Sequence, residues 1–192
     1  MRTMTILLVA MAVALIAAGA FLYSGIYDIG ADAQHWPVTA RALATLRERS
    51  IEARANRIEP PGLNNVELVA AGAKHYAAMC ADCHRAPGVA ESEMRSGLYP
   101  QPPDLTKGEA PDSGKAFWAI KHGIKMSGMP AWGASHRDGA IWELVAFITE
   151  LPRLSPAEYQ DLSEPTGGEC GHHDPEDSPT HDEAKRHEED PL

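Results

Sequence analysis

Cys80-Ala81-Asp82-Cys83-His84 constrains this chain more than any other stretch of it. It is a single C-x-x-C-H, the attachment signature of a c-type haem. Two thiols at that spacing reach the two vinyl groups on one edge of a porphyrin and become thioethers. The next residue is carried under the ring, where the His84 imidazole can bind iron. A thioredoxin-like redox motif would need a βαβ context, and none is visible around Cys80. A zinc site would need more Cys or His ligands nearby, and a second C-x-x-C is absent. The chain has three cysteines, so one is spare after attachment, which is not a disulfide framework.

A low-spin electron carrier needs a second axial ligand, and a thioether opposite the histidine raises the reduction potential. The candidate lies in Lys125-Met126-Ser127-Gly128-Met129-Pro130-Ala131-Trp132-Gly133. Met129 is preferred to Met126. Gly128 and Pro130 keep the chain out of a helix, so the Met129 thioether can project from a rigid loop. Met126 is expected to fill core space. Met79 is too close to the attachment site to loop around a ring, and nothing supports Met94.

Gly72-x-x-x-Tyr76-x-x-x-Cys80-x-x-Cys83-His84 is followed by Pro102-Pro103-Asp104-Leu105-Thr106, by Gly128-Met129-Pro130-Ala131-Trp132 and by an aromatic-rich last helix. This order, over about residues 64–155, resembles class I cytochrome c. The resemblance implies an all-α fold around one covalent haem c. Cys80 and Cys83 would attach the ring, and His84 and Met129 would be the axial iron ligands. It also implies single-electron transfer between redox proteins outside the cytoplasm, where bacteria mature such haems. In that family a proline carbonyl accepts the proximal histidine N–H, and Pro87 is the expected acceptor here. Phe117, Trp118 and Ile120 would lie over the porphyrin and Leu105 would wall it. Trp118 would either donate its indole N–H to a propionate or pack as core.

Residues 1–27 carry no charge after Arg2, and Met4 to Tyr23 is long enough to span a bilayer, which takes roughly 20 residues. Ala18-Gly19-Ala20 has the small-x-small form of a cleavage site. The apolar run continues past it through Phe21, Leu22, Tyr23 and Ile26, so an uncleaved signal anchor is the preferred reading. Tyr23 and Tyr27 suit an interfacial aromatic belt. Because the resemblance implies haem attachment outside the cytoplasm, the domain is placed in the periplasm, on the inner membrane of a bacterium. Arg41, Arg47, Arg49, Arg54 and Arg57 run against the rule that positive charge stays inside, but most lie beyond its reach.

Residues 28–63 form a connecting segment with a helix from Thr39 to about Ile58, stopped by Pro60-Pro61-Gly62. His35-Trp36 is an interfacial or packing pair. Residues 64–164 form the haem domain. An asparagine of Asn64-Asn65 caps its first helix, whose stripe is Val66, Val69, Ala70, Ala73, Tyr76 and Ala77. Gly72 costs about 1 kcal/mol there relative to Ala. It therefore implies close approach of a partner, the Ile141–Leu151 helix with Trp142, Val145, Phe147 and Ile148. A loop runs from His84 to Pro100. A short helix covers Lys115 to His122, and a last one starts at Ser155-Pro156. Lys107, Lys115, Lys121 and Lys125 either steer an acidic redox partner or are ordinary solvated lysines.

The net charge is −10, and nine Asp or Glu against Lys185 and Arg186 after Gly167 account for most of it. Residues 165–192 cannot bury a core and are expected to be a disordered acidic tail. Its Cys170, His172, His173, His181 and His187 either bind a transition metal or are simply solvated. No dense basic stripe interleaves with aromatics, so nucleic acid is not expected as a partner. No catalytic acid, base or nucleophile stands out, so the chain is not read as an enzyme. Other readings are a cytochrome subunit of a membrane-associated dehydrogenase or oxidase, and a haem sensor or enzyme with an open sixth site.

Overall fold

The computed structural model describes residues 2–164. The expected acidic tail and its Cys/His tract lie outside the described residues. Among the described residues there are helices and no strands. In chain order the α-helices are α1 (Arg2–Tyr23), α2 (Pro37–Ala55), α3 (Val66–Met79), α4 (Ala81–His84), α5 (Glu93–Ser96), α6 (Ser113–His122), α7 (Asp138–Glu150) and α8 (Pro156–Ser163). Short 3-10 turns cover Trp132–Ala134 and Leu151–Arg153.

α1 has 22 residues and buries none of them. At 1.5 Å per residue it is about 33 Å long, enough for the roughly 30 Å hydrocarbon core of a bilayer. Its length and composition suit a membrane span. α2 begins at Pro37, two residues before the expected start, because proline fits the first helical turn. It ends at Ala55, short of the expected Ile58. Its Ile51 and Ala55 are buried, and it packs on α6.

The core is the crossing of α3 and α7. The Asn65 side chain accepts the Glu67 N–H at 2.8 Å and starts α3. At Gly72 the crossing is so close that a Cβ would stand 2.0 Å from the Glu143 carbonyl oxygen. Only glycine allows that approach, so the sequence expectation holds. Around it Ala73, Tyr76, Ile141, Leu144, Val145, Phe147 and Ile148 are buried, and the Tyr76 and Phe147 rings lie 5.2 Å apart. Trp142 is only half-buried and stacks on Phe117 at 4.1 Å. α8 closes the other side of α3 through buried Tyr159. It opens on a capping box, in which Ser155 and Glu158 satisfy each other's N–H groups.

The stretch from His84 to Pro100 departs from the expected loop. It contains α5, started by Ser92, whose hydroxyl accepts the Arg95 N–H at 3.1 Å. Gly123 (φ +64) ends α6, and a Cβ there would meet Pro130, Ala131 and Met129 backbone within 2.8 Å. That close crossing returns the Met129 loop across the end of α6.

Candidate functional site

α3 stops at Met79, and Cys80 starts a single new turn. The Cys83 and His84 N–H groups both donate to the Cys80 carbonyl, at 3.1 and 2.8 Å. Three residues of helix put the two cysteines on one side of that turn. Cys80 is buried, Cys83 half-buried, and both are free thiols. Burial pushes the Cys80 thiol up to about 12, with Cys83 adding to the effect, so it stays protonated at neutral pH. Cys83 Sγ lies 3.7 Å from the Met94 sulfur.

His84 Nδ1 is 3.0 Å from the Pro103 carbonyl oxygen. A carbonyl only accepts, so Nδ1 carries the hydrogen and Nε2 keeps its lone pair. Burial holds the imidazole below its ordinary pKa, the Pro103 bond opposes this, and the Arg95 charge adds to the lowering. The ring is therefore neutral at pH 7, the state a metal ligand needs. The acceptor is Pro103, not the expected Pro87. The proline-rich loop returns beneath His84, and a tight turn fixes it there: Asp104 accepts the Thr106 N–H and hydroxyl at 3.1 and 2.6 Å. Leu105 N–H then donates to the His84 carbonyl at 3.2 Å.

Arg85 leaves the turn with φ 69 and ψ 166. The buried Tyr76 hydroxyl donates to its carbonyl at 2.6 Å. Arg95, a residue the sequence reading passed over, is the buried charged side chain of the described fold. Its Nη1 donates to the Cys83 carbonyl. Its Nε lies 3.3 Å from Glu91, too far off line for the N–H to form a hydrogen bond. Ser92 was the available signal: it caps α5 one turn before Arg95, and its hydroxyl also donates to the Asp82 carbonyl.

Met129 is half-buried and packs against the cluster that holds Cys80, Phe117 and Ile120. Its N–H donates to the Ser127 hydroxyl at 3.2 Å, and its carbonyl accepts from Ile124 at 3.1 Å. Leu98 packs on Gly128, 2.7 Å from where a Cβ would be. Met126 is not core filler: it is 72% exposed at φ 57, because the loop turns outward there before coming back. Leu105 and Trp132 border the same cluster. Trp118 is half-buried between the Arg54 guanidinium, 6.0 Å from its ring, and His122 at 5.0 Å. His122 is exposed, at the surface end of α6. Lys121 pairs with Asp138 at 2.8 Å and Lys107 with Asp104 at 3.3 Å, so neither is an uncommitted charge.

The residues fit a haem c: two thiols one turn apart, a neutral imidazole with its tautomer fixed, and a thioether on a braced loop beside an apolar cluster. Among the described residues no cluster of three or more His, Cys, Asp or Glu could hold a bare metal ion. Residues 67–148 match the family described as cytochrome c oxidase, cbb3-type, subunit III. No curated protein and no solved structure matches the chain.

Proposed function

We propose, from the premise that residues 67–148 form the cytochrome c domain of an electron-transfer haem protein, that this chain is a membrane-anchored monohaem cytochrome passing single electrons between redox proteins outside the cytoplasm. The observation that carries it is the His84 Nδ1–Pro103 hydrogen bond on the C-x-x-C-H turn. It fixes the tautomer that leaves Nε2 free as a ligand. When bound, the haem supplies an iron that alternates between the ferric and ferrous states.

Cys80 and Cys83 would attach the ring, and His84 and Met129 would supply the ligands to its iron. Pro103 orients the imidazole. Leu105 and Trp132 border the apolar cluster beside the site, and the soft Met129 sulfur favours the reduced state. Electron transfer needs no acid, base or nucleophile, in line with a carrier and not a catalyst. Residues 1–27 are the retained anchor and residues 28–63 the connection, and residues 64–164 make up the haem domain on the periplasmic face of a bacterial inner membrane.

Optical spectra of the purified protein, oxidised and reduced, with and without carbon monoxide, test the reading. A low-spin spectrum in both states, a ferric sulfur-to-iron band lost in Met129→Ala, and no carbon monoxide shift are expected. A high-spin ferrous haem that takes carbon monoxide readily would overturn the Met129 assignment and favour a sensor or enzyme with an open site. A second reading, a cytochrome subunit of a larger membrane oxidase or dehydrogenase, is favoured by the description of the matching family together with α1. Its check is co-purification in mild detergent with a stoichiometric catalytic subunit.

A further inference from the structure

Arg95 belongs to a small belt of charge around the attachment turn. A guanidinium stays protonated in a protein and is costly to bury without partners. Arg95 has two. Its Nη1 donates to the Cys83 carbonyl, and Glu91 stands 3.3 Å from its Nε. Glu91 is shared, since Arg85 Nη1 also lies 3.0 Å from it. It is also 43% exposed, so water weakens its hold. The Arg95 charge is thus only partly cancelled, beside the residue that precedes His84.

A neutral donor would brace the Cys83 carbonyl equally well. What a cation adds is a preference for whichever state of its neighbour carries less positive charge. Ferric iron loses one positive charge when it takes up an electron. We propose that Arg95 is a positioning residue that raises the reduction potential, and that Glu91 partly offsets it. The inference rests on the reading of Cys80–His84 as the haem-attachment turn.

The test is potentiometric titration of the full-length holoprotein in detergent, after its covalent haem has been confirmed by absorbance of the denatured protein. Arg95→Gln is expected to shift the one-electron equilibrium about tenfold toward the ferric state, or 59 mV. Arg95→Lys is expected to restore most of the potential, and Glu91→Gln to shift it the opposite way. A loosened pocket would lower the potential in every variant, so opposite signs separate charge from packing. Equal signs, or no change in either neutral variant, would overturn the proposal. A wild-type protein without covalent haem would overturn the attachment reading itself.

A different set of contacts carries a second inference. Residues 24–36 join α1 to α2 and, if extended, would allow the domain to wander about 43 Å. They are not extended. Tyr27 packs edge-on against Trp36 at 5.1 Å, and its hydroxyl meets His35 Nδ1 at 2.8 Å. Phe21, in the last turn of α1, lies 5.9 Å from Trp36. His35 N–H donates to the Tyr99 hydroxyl at 3.2 Å, and the two rings meet at 5.1 Å. Beyond this clasp α2 grips α6, where a Cβ on Gly114 would lie 3.2 Å from the Ala55 carbonyl.

We infer that the haem domain is held in one orientation on its anchor. This rests on α1 being retained in the membrane. Electron paramagnetic resonance of the ferric full-length protein in oriented phosphatidylcholine–phosphatidylglycerol multilayers tests it. The signal is expected to change with the angle between field and membrane normal. It should lose most of that dependence in His35→Ala/Tyr99→Phe, or when a flexible Gly-Ser insert separates Asp32 from Ala33, with the optical spectrum unchanged. A membrane-bound wild type with no angular dependence, or variants that keep it, would overturn the inference. Recovery of a chain cleaved after Ala20 in the soluble fraction would overturn the anchor reading.

Discussion

Gly72→Ala should cripple the fold although alanine is the better helix former. The substitution gains about 1 kcal/mol of helix propensity in α3. Against that, the new Cβ stands 2.0 Å from the Glu143 carbonyl oxygen, 2.6 Å from its carbon and 2.8 Å from Phe147 Cβ. Ordinary contact begins near 3.4 Å, so α3 and α7 must separate by about 1.4 Å at their crossing. Neither obstacle is the far end of a flexible side chain. A gap of even 0.5–1 Å forfeits a quarter to a half of the dispersion well. Burial of Tyr76, Leu144, Phe147 and Ile148 is worth about 1.5–3 kcal/mol each. Losing that fraction of it and recovering the propensity gain leaves about 3 kcal/mol of destabilisation. At about 4–8 °C per kcal/mol for a domain of this size, Tm should fall by roughly 12–24 °C. Thermal unfolding of the holoprotein followed in the haem absorbance reads this directly. Gly62→Ala, where nothing lies within 4 Å, is the control and should leave Tm nearly unchanged. A Gly72→Ala protein as stable as wild type would refute the close crossing. It would also undo the account of how α3 presents Cys80.

Other outcomes follow from the turn after His84. Arg85 sits at φ 69, ψ 166, a region that costs a side chain about 1–3 kcal/mol, while its two partly exposed ion pairs return less than about 1. Arg85→Gly should therefore raise the urea midpoint, and a lowered midpoint would count against the strain. Tyr76→Phe strands the Arg85 carbonyl and should cost about 1–2 kcal/mol in the same assay. Burial alone would raise the Asp104 carboxyl, but the Thr106 and Lys107 hydrogen bonds outweigh it and hold the group below its usual 3.8. Because the folded pKa is the lower one, this contribution is complete above the unfolded value and is lost as pH falls through the folded value. The stability gap between wild type and Asp104→Asn should be widest above about pH 4 and narrow as pH falls through the lowered folded value, as urea unfolding at a series of pH values would show.

Much of the fold was legible because it is written in local chemistry. Asn65, Ser155 with Glu158, Pro156 and Gly123 announce helix ends within a few residues of themselves, and the structure uses each one. Gly72 was legible for a different reason: a glycine in mid-helix needs a cause, and close packing is the usual one. The errors arose where the cause lies far along the chain. Pro87 was the nearest proline to His84 in sequence, yet the carbonyl comes from Pro103, 19 residues away. Met126 reads as apolar but faces water, because the loop's path is set by its crossing at Gly123. The His35–Tyr99 contact spans 64 residues and leaves no periodic trace. Arg95 looks like any polar surface residue until the chain folds over it.

The segment from Leu98 to Pro103 shows why this chain is so rich in proline where it is. Leu98 packs on Gly128, next to the candidate distal ligand Met129. Tyr99 receives His35 from the connecting segment. Gln101 donates to the Arg95 carbonyl at 3.0 Å, and Pro103 receives the imidazole of His84. These six residues must therefore stay out of a helix, make contacts on several sides and present a carbonyl at a fixed place. A helix would consume its carbonyls internally, and a flexible loop would let the imidazole rotate. Proline solves both problems: it fixes φ, refuses the helix and has an acceptor with no N–H of its own to satisfy. Pro100, Pro102 and Pro103 thus supply the stiffness that the nearby Gly97 and Gly108 do not. The Asp104–Thr106 turn then locks the end of the segment. The His84 imidazole, the Met129 loop and the contacts of His35 thus all lean on one short stretch of backbone between Leu98 and Pro103.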